Sequence, residues 1–292
     1  MKLAIPTHNR SEIISTPFLE VFKNFDIYLI FHSNEAYKEY SKKNDLSNIN
    51  IVVTDIEPAS NGTGLPLNRK YFLENYVEHN EWIIFADDNV ASIEGLISEN
   101  LWNKFILQNN QKNLFSEWNS DLFFKRINEI KNYADTVGAY HVGLQTSKNY
   151  FYAHKKYRER GYVLGKLTLW KKDNNFIYDT PFTAMEDFHH TAMHLIHYGK
   201  VLICDYVWAN AKHFQGGGLG SKNFRKPNHI QSVEYLTAKY PQLIKVKNRK
   251  DNYPDLRFPN MSEYNFQVWL KQYKAFKKEY IFNEDTFRWD KK

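Results

Sequence analysis

The 292-residue chain has one cysteine, Cys204, so no intrachain disulfide can form and a reducing compartment is expected. No apolar run approaches the roughly 18 residues of a membrane span. The opening Met1-Lys2-Leu3-Ala4-Ile5-Pro6 turns polar too soon for a secretory signal. There is no internal repeat and no low-complexity linker. These absences set aside disulfide-stapled secreted domains, membrane-spanning proteins and repeat arrays. A soluble, cytoplasmic protein with no membrane partner and no obligate protein partner is expected. P-loop spacing is also missing. So is a zinc protease motif: His190 and His194 share a helix face, but Thr191-Ala192-Met193 between them supply no glutamate. That helix, with His189, His190, His194 and His197, reads as a mixed face rather than a zinc site.

What the chain does have is apolar residues, at 42%, enough for one large core. Aromatics reach 16%, more than a core needs, so some can form platforms that stack on bases or sugars. The formal charge of +6 and pI near 9.0 are compatible with a polyanionic partner.

The most informative stretch is Glu81-Trp82-Ile83-Ile84-Phe85-Ala86-Asp87-Asp88-Asn89-Val90. Its apolar run reads as a buried strand that ends in two carboxylates and an amide. Strands of α/β sheets present their last side chains in the crevice where ligands bind. Carboxylates are costly to bury unless paired or bound to metal. The cluster therefore suggests a hard-cation site for Mg²⁺ or Mn²⁺; the alternative is a solvated turn.

Upstream, Leu3 to Ile5 reads as a first strand, running into Pro6-Thr7-His8-Asn9-Arg10. A helix capped by Ser11 and interrupted by Pro17 is expected to about Phe25. Strands follow at Asp26 to Phe31 and Asn50 to Asp55, with a helix from Glu35 to Lys43 between them. This order predicts parallel strands with helical crossovers. A glycine-bearing loop, Ala59 to Pro66, leads into a helix at Leu67-Asn68-Arg69-Lys70, where amides and cations suit a phosphate; an ordinary turn with a basic face is the alternative.

Downstream, Ser92 to about Tyr133 reads as polar and helical, with Trp102, Phe105, Trp118, Phe123 and Phe124 as packing positions. Strands are expected at Ala139 to Leu144 and Tyr162 to Trp170. Gly161 and Gly165 in or beside the second mark places where a backbone or ligand comes close. The basic, aromatic segment Asn149 to Arg160 is either a nucleic-acid contact or a wet loop.

Glu186-Asp187 opens a helix ending at Gly199, as a catalytic carboxylate or as a macrodipole-favoured charged start. A last strand or pair of strands spans Val201 to Ala209. Lys212-His213 and the glycines 216 to 218 read as a lid-like loop, with His213 a third candidate metal ligand. Helices are expected at Asn228 to Tyr240 and Ser262 to Phe282, with a basic run at Lys245 to Lys250 between them.

Ile5 to Arg10, the Gly62/Gly64 loop running into Leu67-Asn68-Arg69, the strand ending in Asp87-Asp88-Asn89 and the helix opening Glu186-Asp187 come in an order that resembles the GT-A glycosyltransferases. The resemblance covers about residues 1 to 220. In detail the chain looks most like the phage TET-associated glycosyltransferases, the group that includes T-even phage glucosyltransferases acting on hydroxymethylated DNA.

This likeness implies an α/β fold: a GT-A-like, Rossmann-type mixed sheet with flanking helices over 1–220, and a basic, aromatic, helical extension over 221–292 packed on it. It implies donor-binding roles for Pro6, Thr7, His8, Asn9, Arg10, Asp55, Gly64, Asn68, Arg69 and Asp88. It implies metal ligands at Asp87, Asn89 and His213, the neutral Asn89 standing where the family's motif ends in Asp. Asp187 matches the general base of inverting members, with Glu186 beside it. The implied cofactors are Mn²⁺ or Mg²⁺ and a UDP-sugar, UDP-glucose being expected. The implied acceptor is DNA with hydroxymethylated or already glucosylated pyrimidines, in host cytoplasm if the chain is phage-encoded. A polysaccharide or protein acceptor, or a DNA-binding module without catalysis, are the alternatives.

Overall fold

Strand β1 (Lys2–Pro6) lies between two parallel partners, β2 (Asp26–Phe31) and β4 (Trp82–Ala86), with β3 (Asn50–Val53) parallel beyond β2. The computed structural model describes residues 1–7, 16–56, 64–96, 115–145, 156–179, 184–211, 222–248 and 253–292. Helices α1 (Thr16–Val21), α2 (Asn34–Ser41) and α3 (Gly64–Tyr76) occupy the connections between these strands.

The sheet then changes direction. Beside β4 runs the antiparallel β9 (Leu167–Lys171), then β7 (His141–Leu144), β10 (Leu202–Cys204) and β8 (Tyr157–Arg158). The resulting order of eight strands is β3-β2-β1-β4-β9-β7-β10-β8. A second, antiparallel sheet places β5 (Val90–Leu96) between β11 (Val207–Ala211) and β6 (Phe115–Glu117). The fold is thus mixed α/β around one large mixed sheet.

The long apolar runs follow from burial on both faces. Along β4, Trp82, Ile84 and Ala86 join one apolar cluster with Phe123, Ile127 and Ile130 of α4 (Ser120–Val137). Ile83 and Phe85 alternate to the opposite face, packing with Phe72 and Leu73 of α3. The third cluster joins Phe188, Ala192 and Leu195 of α5 (Glu186–Tyr198) to the C-terminal elements α6 (Lys222–Lys239) and α7 (Glu263–Glu279). These elements carry two short hairpins, β12 (Lys245–Val246) with β13 (Leu256–Arg257), and β14 (Tyr280–Asn283) with β15 (Arg288–Lys291).

Several boundaries differ from the sequence reading. Helix α1 ends at Val21 and a turn takes the chain to β2, so Pro17 lies in its first turn, where a missing amide hydrogen costs nothing. The residues after Asn89 are a strand, because Val90, Ile93 and Leu96 bury against the first cluster; the helix begins only at Ser120. Trp118 and Phe123 are buried as expected, Phe124 is exposed, and Trp102 and Phe105 lie outside the described residues. Strand β9 starts at Leu167, five residues later than read, leaving Tyr162 to Lys166 as non-strand backbone. The last helix stops at Glu279 and gives way to the β14–β15 hairpin. Among the described residues, no helix is long and apolar enough to cross a membrane.

Candidate functional site

The carboxyl ends of β1, β3 and β4 and the start of α3 gather most of the residues singled out above. Pro6 closes β1, and the Thr7 amide donates to the Ile30 carbonyl at 2.9 Å, holding the buried chain end against β2. Asp55 is exposed beyond β3 with φ 52°, a left-handed conformation that is strained for aspartate only mildly. The Thr54 hydroxyl meets the amide oxygen of buried Asn68, which ties the end of β3 to α3. Gly64 is the first residue of α3, so the helix starts three residues before Leu67. His8, Asn9, Arg10 and His213 lie outside the described residues.

Asp87, Asp88 and Asn89 form the tight turn from β4 to β5. The Asp87 amide extends the ladder by donating to the Lys166 carbonyl at 2.8 Å, and the Val90 amide closes the turn on the Asp87 carbonyl at 3.2 Å. All three side chains are half-buried. The Asn89 side-chain oxygen is buried and has no hydrogen-bond partner among the described residues, an arrangement that calls for a donor or a cation. Lys166 stands nearby; burial pulls its ammonium below the usual value, against the attraction of Asp87.

Arg69 is the centre of the site. Its residue is only 2% exposed. One guanidinium nitrogen, Nη2, donates to Asp87 Oδ1 at 2.8 Å and to the Gly165 carbonyl at 3.1 Å; Nη1 reaches Glu186 Oε1 at 3.5 Å. Burial alone would lower its pKa, but Asp87, Glu186 and Asp187 outweigh this and raise it, so the charge is locked on. Arg69 therefore links the strand-end carboxylate to the helix-start carboxylates, 117 residues apart in sequence for Glu186.

Glu186 and Asp187 open α5. Met185 before them is left-handed, φ 61°, and gives no side-chain cap; Asp187 Oδ1 instead accepts the Phe188 amide at 3.0 Å. Asp187 Oδ2 accepts the Tyr162 hydroxyl and the Gly165 amide, the latter at 3.3 Å. Burial is the main cause that raises the pKa of both acids. Glu186 is pushed up to about 8 by burial and the charge of Asp187, with Arg69 opposing. Asp187 is raised less freely, because the Tyr162, Gly165 and Phe188 hydrogen bonds favour its ionised form. Both acids are thus desolvated, and they differ in that three hydrogen bonds hold Asp187 while Arg69 opposes the shift of Glu186.

Tyr162, Gly165, Lys166 and Tyr178 complete the site without having been singled out for chemistry. Gly165 did carry a signal, as a glycine inside an expected strand. A Cβ there would meet the Asp187 Cβ at 3.3 Å, so the residue is small because Arg69 and Asp187 close on it from two sides. Burial raises the Tyr162 phenol well above its usual range, and the charge of Asp187 adds to it. It is a hydrogen-bond donor and not an ionised group.

Three of the four histidines of α5 face inward, and His197 is exposed. His189, His190 and His194 are buried, and Trp170 lies against His190, His194 and His141 of β7. Burial lowers the pKa of His141, His189, His190 and His194, with His194 falling to about 3. The mixed face is thus a core of neutral rings. Among the described residues, no three His, Cys, Asp or Glu side chains are arranged to hold a metal ion. Within the basic stretch 149–160, Arg158 is committed to buried Asp205 by two bonds of 2.6 and 2.7 Å.

Hard-cation chemistry fits what the turn presents: carboxylate and amide oxygens, one of them buried and unpartnered. The same edge offers a fixed guanidinium and a hydrogen-bonded carboxylate on separate elements. Comparison with protein-family models and with curated protein sequences returned no significant match.

Proposed function

We propose that the chain is a GT-A-like, metal-dependent glycosyltransferase that moves a hexose from a UDP-sugar to hydroxymethylated or already glucosylated pyrimidines in DNA. The observation that carries this reading is the joining of Asp87 and Glu186–Asp187 through Arg69 at the carboxyl edge of parallel strands. That edge is where nucleotide ligands bind in α/β sheets.

The roles follow from charge and position. Asp87 and Asn89, with Asp88 beside them, would hold Mn²⁺ or Mg²⁺, which when bound neutralises charge on the leaving diphosphate. Pro6, Thr7 and Asp55 at the ends of β1 and β3 line the nucleotide side, and Asn68 braces that edge. Arg69 is too deeply paired to meet a donor as a free cation; it fixes the acidic groups on both sides. In an inverting transfer, the acceptor oxygen bonds to the anomeric carbon as the bond to the diphosphate oxygen breaks. The electron pair leaves with UDP, and Asp187 takes the hydroxyl proton. The three hydrogen bonds that favour the ionised form of Asp187, against the burial that raises its pKa, suit it to that task better than Glu186.

The test is product analysis. Hydroxymethylated and glucosylated phage-type DNA is incubated with the protein, Mn²⁺ or Mg²⁺ and a panel of UDP-sugars, then digested and weighed as nucleosides. A hexose-sized mass gain that disappears in Asp87→Ala is expected. Donor hydrolysis without transfer to DNA moves the acceptor to a glycan or protein. Neither transfer nor hydrolysis overturns the glycosyltransferase reading.

A further inference from the structure

The positive charge of the chain is segregated. Residues 221–292 carry 16 Lys and Arg against 8 Asp and Glu, whereas residues 1–220 carry 23 against 25. Part of that excess is built into hairpin β12–β13. Its register sets Lys245 opposite Arg257, with Val246 opposite Leu256. Like charges directly across a two-stranded ladder disfavour it. Both side chains are exposed, and among the described residues no carboxylate pairs with either. Lys247, next along, does have a partner, Asp255 at 3.5 Å. The hairpin is held in spite of this repulsion by Leu256, which buries in the cluster shared with α5.

The hairpin also has a defined relation to the site. Phe258, directly after Arg257, stacks on Phe188 with ring centroids 5.6 Å apart and planes 3° off parallel. Phe188 stacks in turn on Tyr162 at 4.1 Å. Phe188 follows Asp187 in the chain, and Tyr162 donates to Asp187. Arg257 is therefore next in the chain to Phe258, the outer member of an aromatic stack that ends on the tyrosine bonded to Asp187, and Lys245 lies across the ladder from Arg257.

We propose that the Lys245/Arg257 edge of hairpin β12–β13 docks the phosphate backbone of a nucleic-acid acceptor beside Asp187. Two adjacent phosphates neutralise a pair of cations that the fold leaves facing each other. Binding would then relieve the cross-strand repulsion that the free protein carries. This assignment deepens the DNA-acceptor reading and rests on it for the chemistry, but its binding claim stands on charge and position alone.

The experiment measures binding and not turnover. A fluorescent 20-base-pair unmodified duplex is titrated with the wild type, with K245E/R257E, and with K274E/K278E. The last variant makes the same change of charge on exposed lysines of α7. Each phosphate contact contributes about 0.9 to the slope of log affinity against log salt, so K245E/R257E should lower that slope by about two. It should also weaken binding by about tenfold or more near physiological salt, while K274E/K278E changes affinity by no more than about threefold. Circular dichroism melts of both variants check that the fold is kept. Equal losses in the two variants would mean a diffuse field and overturn the docking edge. So would an unchanged duplex affinity, or a loss seen only with phosphatidylglycerol vesicles. Loss of duplex binding in a protein that transfers no sugar would uphold the edge while overturning the glycosyltransferase reading.

Discussion

The hydroxyl of Tyr162 donates to Asp187 Oδ2, the same oxygen that receives the Gly165 amide. Two donors on one carboxylate oxygen favour its ionised form and oppose the burial that would otherwise protonate it. Removing the phenol in Tyr162→Phe takes away a hydrogen bond to a charged group. The acidic limb of the kcat/KM profile should move up by about one pH unit, with little change in melting temperature. A profile that stays in place would remove Asp187 from the role of base.

Arg69 is nearly inaccessible and bridges Asp87, Gly165 and Glu186. Arg69→Met keeps the stem and leaves buried carboxylates without their counter-charge. A loss of about 3–5 kcal/mol in urea unfolding is expected. Arg69→Lys should recover only part of it, since one ammonium cannot span the three acceptors.

Glu186 binds its proton more tightly when folded, with a pKa near 8 against 4.5 for the free side chain. Between those values the folded chain keeps a proton that the unfolded chain has released. Its contribution to stability is therefore full below pH 4.5 and is lost as pH rises through about 8. Glu186→Gln cannot titrate. Measured in EDTA, the variant should gain on the wild type steadily from pH 5 to about pH 8 and level off above it.

The histidine core responds in the opposite direction. His141 has a folded pKa well below the usual 6.5, because burial disfavours its charge. Stability is full above 6.5 and falls as pH drops, since only the unfolded chain takes up the proton. Both ring nitrogens of His141 lack partners among the described residues. His141→Phe should raise stability by about 1 kcal/mol at pH 7 and lower the number of protons taken up on acid unfolding by one. Urea midpoints from pH 7.5 to 4.5 read both.

At Gly165, a methyl group would stand 3.3 Å from the Asp187 Cβ and 3.6 Å from Arg69 Nη1. Gly165→Ala should cost about 1 kcal/mol or more in stability. Turnover should fall further than stability does, because a shift of the carboxylate misplaces the proposed base. Parallel measurements of kcat and unfolding would separate the two effects.

The parallel half of the fold was legible in the sequence because its inner strands β1 and β4 are buried on both faces and read as unbroken apolar runs, as Trp82 to Ala86 does. Strand β5 was not legible: Val90 to Leu96 alternates only imperfectly, and its partners lie far away at Phe115–Glu117 and Val207–Ala211. In the candidate site, Asp87 and Glu186 stood out as carboxylates at element ends. Their junction did not, since a guanidinium that looked free beside a glycine loop turned out to be buried 117 residues from one of its partners. Tyr162 and Lys166 were read as part of a strand that begins only at Leu167, and nothing in that pattern marked them for the site.

The reversal of direction between β4 and β9 sets the order in which the site can assemble. During synthesis, Arg69 and Asp87 emerge early and can meet as soon as β4 joins β1. Glu186 and Asp187 cannot reach them until β9 has paired with β4 and the chain has been made through the start of α5. Contacts of such long sequence separation are the slow ones in folding. The growing chain therefore has both members of the Arg69–Asp87 pair long before it has the acids of α5.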